Sequence, residues 1–230
     1  MKKKVLVFGA SGVLGRGVCE SLLKNNYDEY FFFDRNETIF SSNKLIHYVP
    51  ITDLTNAGNV RTALERVPVF KDDKVFLFST IGGLFGGNPA WDTEPGAMQK
   101  MFQINFDTNY FILQQFALIV KRCSGGGACF TSAFTSLYPE AGKTEYGAAK
   151  AALNYLVQSA SLEGREIKLS VNAIAPFIID TPANKVWLSE SEINTETIMK
   201  PKEIGELVHS LFSHYRFVSG NVIKLGYRFP

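Results

Sequence analysis

Apolar residues along this chain fall into short dense runs, separated by longer stretches in which they recur every three or four positions. The runs read as strands at Lys4 to Phe8, Tyr30 to Asp34, Leu45 to Ile51, Lys74 to Ser79, Gly127 to Ser132, Leu169 to Ala175 and Asn221 to Leu225. Most are rich in Val, Ile and Phe without clean alternation, as expected of strands covered on both faces. Between them, helical spacing runs roughly from Val13 to Asn25, Ala57 to Arg66, Gly96 to Arg122, Thr144 to Glu163 and Lys202 to Tyr215. The alternation predicts repeated βα units, and hence an α/β fold: a doubly wound parallel sheet of about seven strands with helices on both faces. Right-handed crossovers then gather the loops after the strands along one sheet edge, where such folds bind ligands.

Composition narrows this picture. With 230 residues, 46% of them hydrophobic and 20% charged, the chain suits one substantial core, and neither a repeat nor a low-complexity linker divides it. The expectation is a single domain over residues 1–230. The net charge of +2 is spread out, except for Lys2, Lys3 and Lys4, so no nucleic-acid partner is expected. The apolar run behind those lysines, Val5 to Phe8, is too short for a secretory signal, and no stretch approaches a membrane span. Cys19, Cys123 and Cys129 are odd in number and lack metal-ligand spacing. Reduced thiols and a cytoplasmic location are expected. His47, His209 and His214 are scattered, and no metal site is predicted.

The first strand runs into Gly9-Ala10-Ser11-Gly12-Val13-Leu14-Gly15, with a glycine at every third position. Glycine permits a tight strand-to-helix turn, close approach of backbone amides to a pyrophosphate, and close packing of helix on strand. The pattern predicts a Rossmann-type dinucleotide site; the alternative is a tight turn with no ligand. Asp34, at the end of the second run, is placed to accept hydrogen bonds from an adenosine ribose, which favours NAD(H). Arg35 follows it and could instead pair with a 2′-phosphate, which keeps NADP(H) open. Asp53, after the third run, reads two ways: as a partner of the adenine edge, or as the cap of the next helix.

Tyr146 and Lys150 stand four residues apart among strong helix formers, which puts both on one helix face. A phenol ionises near pH 10, and a neighbouring ammonium would favour the phenolate.

In order and content these features resemble the short-chain dehydrogenase/reductase family over nearly the whole chain. Gly9 to Gly15 is similar to that family's nucleotide turn, Asp34 and Asp53 to its adenosine-side acids, Asn105 to its helical asparagine, and Tyr146 with Lys150 to its catalytic pair. Pro176 and Thr181 resemble its segment around the nicotinamide carboxamide. The resemblance implies a cofactor set that also takes in Ser11, Gly12, Val13, Leu14, Leu54, Ile81, Gly82 and Ile179. By the same resemblance Tyr146 is the proton donor or acceptor, Lys150 also binds the nicotinamide ribose, and Asn105 holds a water in a proton relay. It further implies a small-molecule substrate and a homodimer or homotetramer, built from the helix around Asn105 and the one beginning near Tyr146. Residues 183–200 match a substrate lid; the alternative is an ordinary surface helix pair.

The chain departs from the family in three places. Its glycines are spaced three and three rather than four and two. Ser79-Thr80-Ile81-Gly82 replaces the usual Asn-Asn-Ala-Gly. The substrate-binding serine thirteen residues before the tyrosine is Ala133, leaving the adjacent Ser132 as the catalytic candidate. The dihydropteridine reductase branch shares the glycine spacing and an alanine at that position, and resembles this chain in Ile81-Gly-Gly-Leu-Phe-Gly-Gly87. The resulting expectation is an NAD(P)(H)-dependent oxidoreductase that moves a hydride between nicotinamide and a small carbonyl, imine or quinonoid substrate. The alternative is a non-catalytic dinucleotide-binding regulator or scaffold.

Overall fold

A computed structural model describes residues 1–37, 40, 42, 44–85, 87–188 and 198–226. The strands are β1 (Lys3–Phe8), β2 (Glu29–Asp34), β3 (Leu45–Pro50), β4 (Lys74–Ser79), β5 (Gly125–Thr131), β6 (Leu169–Pro176) and β7 (Val222–Leu225). They form one parallel sheet in the order β3-β2-β1-β4-β5-β6-β7. The helices are α1 (Val13–Leu22), α2 (Ala57–Leu64), α3 (Pro95–Phe102), α4 (Thr108–Val120), α5 (Thr144–Glu163), α6 (Pro182–Leu188) and α7 (Pro201–Ser213).

The two-residue period of the strands divides the core. Leu6, Phe8, Phe31 and Phe33 face one side, where they pack with Val60 and Leu64 of α2, Ile112 and Phe116 of α4, and Leu153 and Val157 of α5. Val5, Val7, Tyr30 and Phe32 face the other, against Val18 and Leu22 of α1 and Ile204, Val208 and Phe212 of α7. The Rossmann-type arrangement of this Val- and Phe-rich sequence follows from burying both faces.

At the end of the sheet where its strands begin, the lysine run has a structural use. Lys4 is fully buried, with its ammonium 3.4 Å from both Glu29 and Asp73, while Lys2 reaches Glu29 at 2.8 Å. Burial pushes both carboxyls up, but the hydrogen bond from Lys2 and the charges of Lys4 and Lys2 together outweigh it at Glu29, and the backbone N–H groups of Lys2 and Phe70 together with Lys4 do so at Asp73. Both carboxyls therefore lie below the usual range. Among the described residues no helix is long and apolar enough to cross a membrane, and no group of three or more His, Cys, Asp or Glu could hold a metal ion.

Candidate active site

The strand order reverses between β1 and β4, and the loops leaving those two strands bound a cleft of about 480 Å³. Gly9, Ser11, Gly12, Asp34, Arg35, Asp53, Leu54, Ile81 and Gly82 all line it. The three glycines of the turn do different things. Gly9 has φ of 81°, and a Cβ there would run into the Thr80 hydroxyl. A Cβ on Gly15 would strike the Gly9 carbonyl, so Gly15 lets α1 sit tightly on β1. Gly12 has only the Gly9 carbonyl nearby, 3.5 Å from where a Cβ would stand. A side chain at Gly12 would grow into the cleft. Gly12 also begins α1 with no side-chain cap, which leaves first-turn amides open to a ligand. Val13 and Leu14 lie behind this surface: Val13 is half-exposed outside the cleft lining, and Leu14 packs on the α1/α7 core.

At the adenosine end, Asp34 accepts hydrogen bonds from the backbone N–H of Ser11 at 2.8 Å and of Arg35 at 2.7 Å. It thereby ties the end of β2 to the glycine turn. The Arg35 Nε donates to the Thr52 carbonyl at 3.1 Å, and Arg35 makes no ion pair among the described residues. The capping role considered for Asp53 belongs to Asn56, whose Oδ1 accepts from the N–H groups of Gly58 and Asn59. Asp53 instead takes the N–H and hydroxyl of Thr55, which hold its carboxyl below the usual range.

The helix expected from Gly96 to Arg122 is broken. Between α3 and α4, Gln103 to Asp107 form a π-helical turn, and Asn105 sits inside it, fully buried. Such a turn inserts one extra residue and releases carbonyls from the regular ladder. Asn105 uses its side chain to hold the loop after β4, donating to the Gly83 carbonyl at 2.8 Å and accepting from the Gly83 N–H at 3.1 Å. Its own carbonyl accepts from Asn109 at 2.9 Å. Asn109 also donates to the Ile81 carbonyl at 3.1 Å and accepts from the Ser79 hydroxyl at 2.7 Å. Asn109 is therefore a site residue that sequence reasoning missed. Its only signal was a second asparagine one helical turn beyond Asn105. Ile104 of that turn and Thr108 at the start of α4, also unpredicted, line the cleft.

Lys150 is buried, and its amine donates to the Thr131 carbonyl at 2.7 Å. Burial pulls it down to about 7. The amine lies 5.9 Å from the centre of the Tyr146 ring. Burial first, and Glu140 second, push the Tyr146 phenol up to about 12. Gly82 joins this group to the cleft: a Cβ there would lie 2.5 Å from the Asn105 Oδ1 and 2.8 Å from the Lys150 Nζ.

Beyond β6, which ends at Pro176, Ile179 forms a parallel bridge with Met199. The Thr181 hydroxyl accepts from the Asn184 N–H at 3.2 Å, and Asn184 donates to the Ile179 carbonyl at 2.8 Å. Pro176, Ile179 and Thr181 are not part of the cleft lining. Of the segment expected as a lid, residues 189–197 lie outside the described residues.

The short chain dehydrogenase family's sequence profile matches residues 3–192. This chain belongs to that family. An uncharacterised oxidoreductase of Bacillus subtilis strain 168, YmfI, is 23% identical over 98% of both chains. A short-chain type dehydrogenase/reductase from Mycobacterium ulcerans has a similar structure, with a TM-score of 0.87 and 21% identity, covering 97% of this chain and 88% of that one. ElxO with NADP bound superposes with a TM-score of 0.84 at 20% identity, over 98% of each chain. Family membership makes the protein an NAD(P)-dependent oxidoreductase.

Within the family, the segment before Tyr146 is where this member is unusual. The position of the missing serine, Ala133, is buried. Ser132 does not take over that serine's position: its hydroxyl is enclosed and donates to Asn154 of α5 at 2.5 Å. Its hydroxyl is committed to α5, since it also lies 3.4 Å from the Lys150 carbonyl. Ser136 bonds the Ala133 carbonyl at 2.5 Å and Asn154 at 2.8 Å.

Proposed function

We propose that this protein transfers a hydride between nicotinamide and a small carbonyl, imine or quinonoid substrate, with Tyr146 as the acid or base. The observation that carries this reading is the meeting at Gly82, which lines the cleft on one side and lies against the buried Asn105 amide and Lys150 amine on the other. The residues fit a dinucleotide. Gly12 leaves room that a Cβ would fill, the uncapped start of α1 suits a pyrophosphate, and Asp34 stands at the adenosine end. Bound NAD(P)H supplies the hydride.

The chain's own residues do the rest. Gly9, Ser11, Gly12, Val13, Leu14 and Gly15 form the phosphate turn, and Asp34, Arg35, Asp53 and Leu54 hold the adenosine. Ile81, Gly82, Pro176, Ile179 and Thr181 hold the nicotinamide end. Lys150 binds the nicotinamide ribose, Asn105 fixes the loop at Gly83, and the Tyr146 hydroxyl gives its proton to the substrate atom next to the hydride acceptor. Burial pushes the phenol up to about 12, which favours the protonated form that a proton donor needs. Asp34 supports NAD(H) through its place beside the ribose position, whereas Arg35, with no ion pair among the described residues, supports NADP(H). We read residues 1–230 as one catalytic unit. The half-exposed Tyr110 and Leu118 on α4 and exposed Tyr155 and Leu162 on α5 support association as a homodimer or homotetramer.

The test is Tyr146→Phe. Turnover with NADH or NADPH and a panel of ketones and quinonoid pterins should fall at least a hundredfold, with dinucleotide affinity by fluorescence titration within about twofold of the parent. An unchanged rate in this variant rejects the mechanism.

A further inference from the structure

At the sheet edge opposite the dinucleotide cleft, where β5 and β6 begin, lies a second concave space of about 750 Å³. Three cations line it: Arg165 and Lys168 from the turn between α5 and β6, and Arg216 from the turn after α7. No Asp or Glu lines it among the described residues, and Glu163 and Glu166, close by in sequence, line a separate groove beside Tyr110 and Leu118 of α4. Cations that follow a helix commonly bond its last carbonyls. Here none does. The Arg165 and Lys168 side chains make no hydrogen bond or ion pair among the described residues, and Arg216 reaches only Tyr215, its Nε 3.4 Å from the hydroxyl. Like charges gathered without a counter-ion favour an anion among them.

Two further features point the same way. Ser170 of β6 is 4% exposed, yet its hydroxyl makes no hydrogen bond among the described residues. It lines this cleft, in room left by Gly127, where a Cβ would lie 2.8 Å from the Ser170 Oγ. The neighbouring hydroxyls are engaged: Ser124 donates to the Asp73 carbonyl at 2.8 Å and Ser161 to the Gln158 carbonyl at 2.7 Å. Enclosed hydroxyls are seldom left unpaired, so Ser170 is a donor for an acceptor that enters the cleft. Lys168, in turn, has φ of 59° and is the one non-glycine residue in the left-handed region among those described. Its N–H donates to the Arg165 carbonyl at 3.2 Å, its carbonyl accepts from Gly126 at 3.0 Å, and Leu169 donates to the Gly164 carbonyl at 2.9 Å. A helix end of this kind suits glycine. A lysine there carries a backbone cost that the turn does not require, and such strain concentrates at ligand sites.

We infer that this cleft is a second binding site, for an organic phosphate. Arg165, Lys168 and Arg216 hold the phosphate oxygens, and Ser170 donates a hydrogen bond to one of them. The space exceeds what a bare phosphate needs and matches a whole small molecule. Phe217, 87% exposed at the same cleft, gives the body of that molecule an aromatic surface to rest on. The site stands apart from the hydride-transfer reading, since none of its residues serves that chemistry.

The experiment titrates ATP, tripolyphosphate and adenosine into the protein by calorimetry, with NADH at saturation, for the parent, R165Q/K168G, Ser170→Ala and Phe217→Ser. ATP and tripolyphosphate should bind the parent with micromolar affinity that falls as salt is raised, and adenosine at least about tenfold more weakly than ATP. R165Q/K168G should weaken both phosphates by at least about tenfold, and Ser170→Ala by about threefold to tenfold. Phe217→Ser should weaken ATP while leaving tripolyphosphate within about twofold. NADH affinity should stay within about twofold in every variant, which separates this site from the dinucleotide cleft. Lys168→Gly alone should keep Tm level or raise it, because glycine suits φ of 59°. A lysine serving only the fold would instead lower Tm on removal and leave the titrations unchanged. No saturable binding of ATP or tripolyphosphate by the parent, or parental binding by R165Q/K168G, overturns the proposal. ATP binding unmoved by Phe217→Ser overturns the role of that ring.

Discussion

Lys150 shows how one residue's surroundings set its chemistry. The four-residue spacing from Tyr146 was legible because helix geometry fixes it. Its partner, the Thr131 carbonyl, was not, since that contact depends on where α5 crosses the end of β5. Burial lowers the amine from 10.5 to about 7, so between those values the unfolded chain holds a proton that the folded one has lost. Stability from this group therefore rises with pH across that window and is level below it. The slope is at most about 1.4 kcal/mol per pH unit. Melting curves from pH 6 to 9 should show Lys150→Met with a flatter profile than the parent above pH 7. Parallel profiles would mean that the amine keeps its proton in the fold. The glycines divide similarly. Their spacing disclosed the turn, while only the structure separates Gly15, needed for packing, from Gly12, which keeps the cleft open.

Among the elements, all seven strands were readable to within a residue or two, because buried runs of Val, Ile and Phe have few other uses. The exception in detail is β5, which starts at Gly125 although its first side chain is that of Ala128. Glycines leave no apolar signal, and at Gly126 a Cβ would collide with the Val75 carbonyl of β4. The π turn at Asn105 was invisible for a related reason: one inserted residue hardly disturbs a 3.6-residue pattern. Its consequence is the Ser79–Asn109 pair, which holds the loop after β4 where the family's usual Asn-Asn-Ala-Gly is absent. Asn109→Leu strands the Ile81 and Asn105 carbonyls and should destabilise the protein by about 2 kcal/mol while weakening dinucleotide binding several-fold. Adding Ser79→Ala to that variant should cost less than it does alone, since the Asn109 partner has already gone and only the longer bond from the Ile81 N–H, at 3.3 Å, is left to lose. Full additivity in chemical denaturation and titration would show that the two residues act separately.

At the scale of the molecule, the parallel order places every functional loop on one sheet edge, and the reversal between β1 and β4 opens the cleft there. That much follows from alternating βα units, and it brought Asp34, Gly82, Asn105 and Lys150 to one edge from distant parts of the chain. The polar groups that tune the site were less legible. Ser132 engaged by Asn154 just beyond the end of β5, Asn56 as the cap in place of Asp53, and Thr135 without a partner all depend on contacts that carry no periodicity. The central claim is that the cleft ending at Gly82 delivers a hydride to a small substrate. The most direct measurement is reduction of the ketone probes, whose new C–D bond does not exchange with water, with NADH and NADPH carrying deuterium at nicotinamide C4, followed by mass spectrometry of the products. The account predicts one deuterium on the reduced atom when one C4 face carries the label, and none when the other does. Product without deuterium from either face, or dinucleotide binding with no product from any probe, would contradict it.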